Sequence, residues 1–409
     1  MHPPAHSGTL TTDVAVVGGG VAGSSIAAVL AEAGLGVVLV EREGRFRDRV
    51  RGEGIHPWGV TELQALGLAA VVRAAGAQVL PYRRFYADRV SGDPSRWDAI
   101  EPDLPGEWAI SHPALQDALL EHACRGGAQV LRPAHVVRFT RGRDLRLEVT
   151  TAEARYDVRA RLVIGADGRH SATRRWVGAA AIHDPVHHLV GGCLLDGVAL
   201  ADDTFHLADF EGGTVLVFPL GSGRARTYLI AGEPIAGPLR GTGHRADFVA
   251  RCGAVFPEGA LDRAHPSGPL AFLPNADVWS DRLYDDRVAL IGDAAGANDP
   301  SGGYGLSLCF RDVREVRDRL LTEPDWDRAM MCYAARRSAY YAVLRAFMQW
   351  MAPLTTDVGP EADARRARAA RARKADRTLG GFGQLAAHGP DGLEATEAAR
   401  LHVLGEDLG

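Results

Sequence analysis

Asp13-Val14-Ala15-Val16-Val17-Gly18-Gly19-Gly20-Val21-Ala22-Gly23 is a short apolar, β-rich run that meets glycines at once and continues as small and apolar residues with helical spacing to Gly34. The next apolar run, Val37 to Val40, stops at Glu41. Strand, helix, strand in that order begins a parallel sheet. Gly18, Gly20 and Gly23 satisfy G-x-G-x-x-G at the first turn, with Ala22 inside the same step. Gly18 permits the tight turn, Gly20 lets the backbone approach a pyrophosphate, and Gly23 allows the helix to lie close on the strand. The helix start offers free N–H groups and the positive end of its dipole to phosphates. Glu41 follows roughly 20 residues on, where a carboxylate binds both ribose hydroxyls and repels a 2′-phosphate. Arg42 is next to it. These residues call for a dinucleotide and leave FAD and NAD both open.

Outward from this unit, a helical stretch from Pro113 to Cys124 leads through Gly126-Gly127 to the short strands Val130-Leu131 and Val136 to Phe139. Leu162-Val163-Ile164 and Val288 to Ile291 are apolar runs far apart in the chain, each ending in Gly and Asp, and read as strands of the same buried sheet. Between them the pattern changes to alternating strands and turns, such as Val215 to Phe218 and Thr227 to Ile230. The expected architecture is therefore α/β, with a doubly wound dinucleotide domain (residues 1–74, 111–179 and 281–325). A mostly antiparallel substrate lobe (75–110 and 180–280) is inserted into it, and a helical region (326–409) closes the chain. Met1 to Thr12 reads as a disordered lead-in, and the Arg-rich run Ala364 to Arg377 as a solvated helix.

A formal charge of −5 with no strongly basic stretch argues against a nucleic-acid surface. No apolar run reaches the roughly 18 residues needed to span a bilayer, and the N-terminus has no signal-peptide pattern. The five cysteines are scattered and never spaced C-x-x-C, which fits a reducing cytoplasm and speaks against a zinc site or disulfide framework. Lys374 is the sole lysine.

Two further motifs follow the phosphate loop. Val163-Ile164-Gly165-Ala166-Asp167-Gly168-Arg169-His170-Ser171 and Ala289-Leu290-Ile291-Gly292-Asp293-Ala294-Ala295 resemble the DG and GD motifs of FAD-dependent aromatic hydroxylases of the para-hydroxybenzoate hydroxylase type. Pro300-Ser301-Gly302-Gly303-Tyr304-Gly305-Leu306 resembles the glycine-rich entry to that family's flavin-facing helix. The order is the family's, and the likeness covers essentially the whole chain. Physically, Asp293 ends a buried strand where a carboxylate can take a ribityl hydroxyl, a group that nicotinamide cofactors lack. Pro300, Gly303 and Gly305 remove bulk where a flat ring lies on backbone. The helix beginning near Gly303 aims its positive end at the flavin edge that carries charge when reduced.

The resemblance implies that Asp167 supports the cofactor, that Arg51, in Arg51-Gly52-Glu53-Gly54-Ile55-His56-Pro57, pairs with pyrophosphate or flavin, and that Val136, Gly292 and Leu306 belong to the FAD-binding set. His56 and Tyr304, near the flavin-facing glycines, are the candidate acid or base. The chain departs from the family at His112, where relatives place arginine or glutamine near the ribityl chain, at Gly296, where histidine is frequent, and at Ser307, where asparagine is frequent.

The activity implied is insertion of one oxygen atom from O2 into a small organic substrate, aromatic or natural-product in kind, through a flavin C4a-hydroperoxide shielded from water. Phe205, Phe210, Phe218, Phe272 and Trp279 are candidates to line the shield. With no second GxGxxG, NAD(P)H visits the flavin transiently or a separate flavin reductase supplies reduced FAD. An FAD-dependent reductase of isoprenoid double bonds shares the Arg51–Pro57 segment but lacks its Y-x-W-x-F-P signature here. A halogenase would need an active-site lysine and W-x-W-x-I-P, and a non-catalytic scaffold would not need the intact phosphate loop.

Overall fold

A computed structural model describes residues 6–376 and 381–406. Its central sheet runs, from one edge, Gln129–Leu131, Val37–Val40, His6–Val17, Ala154–Gly165 and Val288–Leu290, all parallel. Val37–Val40, Val288–Leu290 and residues 14–16 and 162–164 of the two long strands are buried on both faces, so they read in sequence as near-continuous apolar runs, while the edge strand Gln129–Leu131 is partly exposed. The first strand corrects the expectation of a disordered lead-in. His6 to Thr12 already pair with Ala154 to Ala160, because the partner strand is long enough to take up their backbone hydrogen bonds. Met1 to Ala5 lie outside the described residues.

Strand Ala154–Gly165 forks. Its first half pairs antiparallel with Leu145–Thr150, which pairs in turn with His135–Thr140, and its last residues pair with Val288–Leu290. The resulting meander covers one face of the parallel sheet. Helices Val21–Glu32, His112–Arg125 and Gly305–Thr322 cover the other and share one apolar core with it. Ten of the twelve residues of Val21–Glu32 are buried. That crowding explains its small side chains. Ile26, Leu30 and Leu39 are fully enclosed there, each contributing roughly 1.5–3 kcal/mol by burial.

The second sheet has nine strands, with Leu189–Asp196, Arg224–Ala231, Gly213–Gly221 and Thr204–Phe210 antiparallel in that order. Tyr82–Ala87 joins Thr204–Phe210 in parallel, so a segment far upstream completes the sheet. Helix Arg245–Gly253 packs on one face, and the other face looks into a cavity.

Four helices follow Gly305–Thr322: Trp326–Thr356, Pro360–Ala375, Phe382–His388 and Glu397–Leu404. The Arg-rich helix, expected over Ala364 to Arg377 as a solvated element, spans Pro360–Ala375, and Arg377 lies outside the described residues. It is not solvated all round. Ala362 and Ala369 are buried and Arg366, Ala370 and Arg373 line the cavity, because the helix closes over the open sheet face.

Candidate functional site

Three distant segments meet at the carboxyl ends of the parallel strands. Gly18 sits at φ +103°, and a Cβ there would lie 2.4 Å from the Ala166 carbonyl oxygen. A Cβ on Gly23 would lie 1.8 Å from the Gly18 oxygen, so both positions exclude any side chain. A Cβ on Gly292 would come 2.9 Å from the Ala22 Cβ, which places the Gly292-Asp293 turn directly on the phosphate-loop helix. At Gly20 the same construction meets only Gln116 Nε2, at 3.8 Å. The groove beside Gly20 is open where the other glycines are filled, which is the shape a pyrophosphate needs against backbone N–H groups.

The acids stand at the ends of this groove. Glu41 is buried, and its carboxylate accepts from the N–H groups of Gly19 (2.5 Å) and Glu43 (2.6 Å). Held in this way, its carboxylate is fixed in orientation with lone pairs to spare for a further donor. Asp293 is partly open and faces Arg51 at 3.5 Å. Arg42 is exposed beside Glu43. Asp167 turns its carboxylate onto the following 3-10 turn, accepting from Ala172 N–H (2.7 Å), Thr173 N–H (3.1 Å) and Thr173 Oγ1 (2.7 Å). Its part is to shape the loop against Gly18. Val136 packs with the core that includes Val40, Leu131 and Ala134.

His112 begins its helix and donates from Nδ1 to the Gly52 carbonyl at 2.9 Å. Desolvation at the site mouth, helped by the Arg51 charge, pushes its imidazolium down to about 4. It is therefore neutral, with Nε2 a free acceptor. Helix Gly305–Thr322 starts after Gly303, which has φ +69°. Leu306 is buried, and Ser307 backs onto Gly59, where a Cβ would lie 2.2 Å from its hydroxyl. Gly296 is crowded by Tyr341 and Arg337, each just over 3 Å from where a Cβ would stand, so a histidine has no room.

His56 bridges two acceptors. Nε2 is 2.8 Å from the Gly302 carbonyl and Nδ1 is 3.1 Å from Glu107 Oε1, with Glu107 fully buried. The carbonyl only accepts, so Nε2 carries a proton, while Nδ1 and the Glu107 carboxyl lie in close contact without hydrogen-bond geometry. Burial alone would lower its pKa, but the Glu107 carboxyl beside Nδ1 and the Gly302 carbonyl on Nε2 raise it. Tyr304 lies with its ring 5.0 Å from His56, and burial raises its phenol above the ordinary range. A second buried network lies one residue along. Arg226 donates to Glu53 (2.9 Å) and Asp48 (2.7 Å), and Tyr228 donates to Glu53 and to the Arg51 carbonyl (2.7 Å). Burial pushes Glu53 up to about 7 against the pull of Arg226.

Sequence reading did not find Glu107, Arg174 or Asp312. Arg174 is buried and donates to the carbonyls of Asp293 (2.7 Å), Ala294 (2.9 Å) and Arg169 (2.6 Å), binding the two Asp-bearing loops together. Asp312 accepts from Gly292 N–H at 2.8 Å and is held by Arg337 and Tyr340. Asp312 left a signal: it sits on the apolar face of its helix, three residues from Cys309 and four from Val316. Arg174 left none, since Arg175 beside it is the same residue type.

A cavity of about 1410 Å³ opens from Gly52, His56 and Pro300 to Gly303 on one side to the open sheet face and the C-terminal helices on the other. Phe205, Phe210 and Phe218 line it; Phe272 and Trp279, also candidates by sequence, pack elsewhere, the former beside Phe248 and the latter beneath Arg345. Lys374 is exposed on the helix surface. Among the described residues no cluster of metal-ligating side chains is present, and no helix is long and apolar enough to cross a membrane.

The glycine turns at the strand ends, the acids beside them and the glycine-lined cavity are the arrangement a flavin dinucleotide would require. The FAD binding domain family matches residues 11–324, and the chain belongs to that family. The chain is 27% identical to a rifampicin monooxygenase of Streptomyces venezuelae over 86% of its own length and 73% of the relative's. It is 29% identical to digeranylgeranylglycerophospholipid reductase 2 of Methanopyrus kandleri, covering 76% of this chain and 78% of that one. A p-nitrophenol 4-monooxygenase from Pseudomonas putida superposes with a TM-score of 0.76 at 18% identity, covering 97% of each chain. The mixed α/β architecture is thus that of known flavin enzymes, and the chain is an FAD-binding enzyme.

Proposed function

We propose that this enzyme hydroxylates or epoxidises a small, largely apolar and aromatic molecule held in the cavity beside the flavin. The observation that carries this reading is the continuity of that cavity with Pro300 to Gly303. At about 1410 Å³ it exceeds the roughly 300–1,000 Å³ of an ordinary ligand pocket, leaving room for a flavin ring and a substrate together.

When bound, FAD supplies the redox chemistry, taking electrons from a reductant and delivering one oxygen atom of O2. Residues of the chain would do the rest. Gly18, Gly20 and Gly23 would admit the pyrophosphate, Glu41 the ribose, and Asp293 with Arg51 the ribityl side. The start of helix Gly305–Thr322 would set a positive dipole end toward the ring. The His56–Glu107 pair holds the glycine loop from below, and the phenylalanines exclude water.

NAD(P)H would reach the flavin transiently, or a partner reductase would deliver reduced FAD. Five free cysteines suit a reducing cytoplasm. Mixing the FAD-loaded protein anaerobically with NADPH separates the two routes. Bleaching accelerated by an aromatic substrate supports the single-component route, and bleaching only with an added reductase supports the other. For the reaction, ¹⁸O₂ label in the product supports oxygen insertion. A saturated double bond without label would move the assignment to the reductase seen among the relatives.

A further inference from the structure

Two adjacent histidines lead out of the cavity. His188 is 2% exposed and lines the cavity with Ser301, whereas the side chains of His187 and Asp357 are 39% and 36% open to solvent. Ser301 Oγ lies 2.6 Å from His188 Nε2, His188 Nδ1 lies 3.3 Å from His187 Nδ1, and His187 Nε2 lies 3.2 Å from Asp357 Oδ1.

The outer end decides where the protons sit. Asp357 is paired with Arg365 at 3.1 Å, and a carboxylate held in this way accepts from the ring. A His187 ring holding one proton then carries it on Nε2 and presents Nδ1 as a lone pair, which Thr356 Oγ1 also approaches at 3.1 Å. His188 must donate from Nδ1, so its Nε2 accepts from the Ser301 hydroxyl. The Ser301 lone pairs are left for a donor in the cavity. All the hydrogen bonds point the same way, outward. Burial and the neighbouring His187 push the His188 imidazolium down to about 4, which keeps the ring neutral between its partners.

The chain is anchored from both sides. Asn275 Oδ1 accepts from the N–H groups of His187 (2.8 Å) and His188 (3.0 Å), and Asn275 Nδ2 donates to Asp299 (3.2 Å). Asp299 in turn accepts from Ser301 N–H at 2.8 Å. One amide therefore locks the histidine pair to the loop that carries Ser301.

We propose that Ser301, His188, His187 and Asp357 form a proton path from the cavity to solvent, serving a ligand with an ionisable hydroxyl, a phenol or an enol. The ligand class rests on the oxygenase reading; the path does not. The ligand O–H breaks and its proton goes to Ser301 Oγ, while the Ser301 proton passes to His188 Nε2. The His188 Nδ1 proton passes to His187 Nδ1, and the His187 Nε2 proton leaves to Asp357 or water. One proton leaves the ligand and one reaches solvent; exchange at the outer ring resets His187, and local opening that lets the buried His188 ring exchange its proton with water resets His188.

Nitrogen-15 NMR of histidine-labelled, FAD-loaded protein tests the path without turnover. The expected spectrum has His188 protonated on Nδ1 and His187 on Nε2. In His187→Gln the amide oxygen still accepts the hydrogen bond but cannot hand a proton on. Exchange of the His188 Nδ1 proton with water should then slow roughly tenfold or more, since only local opening remains as a route. A purely structural role for His187 makes that exchange unchanged or faster, and this outcome, or a His188 proton on Nε2 in the unaltered protein, overturns the path. Slowed exchange in a protein that incorporates no ¹⁸O leaves the path standing and removes the oxygenase reading. Incorporation with reversed tautomers does the opposite.

Discussion

At the scale of single residues, the site is set by where a side chain is forbidden and where a carboxylate is already oriented. Glu41 is pre-aligned by two backbone N–H groups, so a ribose bound there, as proposed, would meet a carboxylate already in place. Replacing Glu41 or Asp293 by alanine removes charge-assisted hydrogen bonds of roughly 1.5–3 kcal/mol each, so FAD affinity should fall about tenfold to a hundredfold in either variant. Flavin-to-protein absorbance ratios after gel filtration measure this, and full occupancy in both would show that neither acid touches the cofactor. Gly18, Gly23 and Glu41 were readable from the chain because their demands are local: a positive φ, a missing Cβ and an acid at a strand end. The part of Asp167 was not, because whether a carboxylate turns outward or caps the next turn depends on how that turn folds.

Among elements, the decisive contacts are those that tie loops from different strands together. Arg174 holds three carbonyls at once. Arg174→Ala leaves them buried and unmet, which should cost on the order of 3 kcal/mol and lower both the thermal midpoint and flavin retention. Arg174→Lys should recover little, because one ammonium cannot span the three positions that a planar fork does. A lysine variant with normal midpoint and flavin content would remove Arg174 from this role.

The His56–Glu107 pair joins the segment after Gly54, strand Glu107–Ala109 and the Pro300–Gly302 turn. The folded-state pKa of His56 is raised above an unfolded value of roughly 6.5. The pair's stabilisation is therefore full below that pH and is lost as pH rises through the folded value. Thermal midpoints measured across this range should fall with rising pH in the unaltered protein and flatten in Glu107→Gln. Parallel curves for the two proteins would count against the pair.

For the molecule as a whole, function lies in the space between two sheets and a helical cover. The cover was the least readable part. An arginine-rich helix has the composition of a solvated surface, yet Pro360–Ala375 places Arg366, Ala370 and Arg373 on the cavity wall. Ala370→Trp should fill part of that space far from the glycine loop. Product formation should then drop about tenfold or more through weakened substrate binding, with flavin content unchanged. If turnover is unaffected, the substrate does not occupy that end.

The sequence alone determined the parallel strand–helix–strand unit, the three glycine-bearing turns and the acids beside them, because each follows from backbone geometry or from apolar periodicity within a few residues. Only the tertiary structure decided that His6 to Thr12 belong to the sheet, that Glu107 lies against His56, that Arg174 clamps both aspartate loops, and that His188 meets Ser301. These are pairings across long stretches of chain. A residue type states what it can bond to, and packing alone states which partner comes within 3 Å of it.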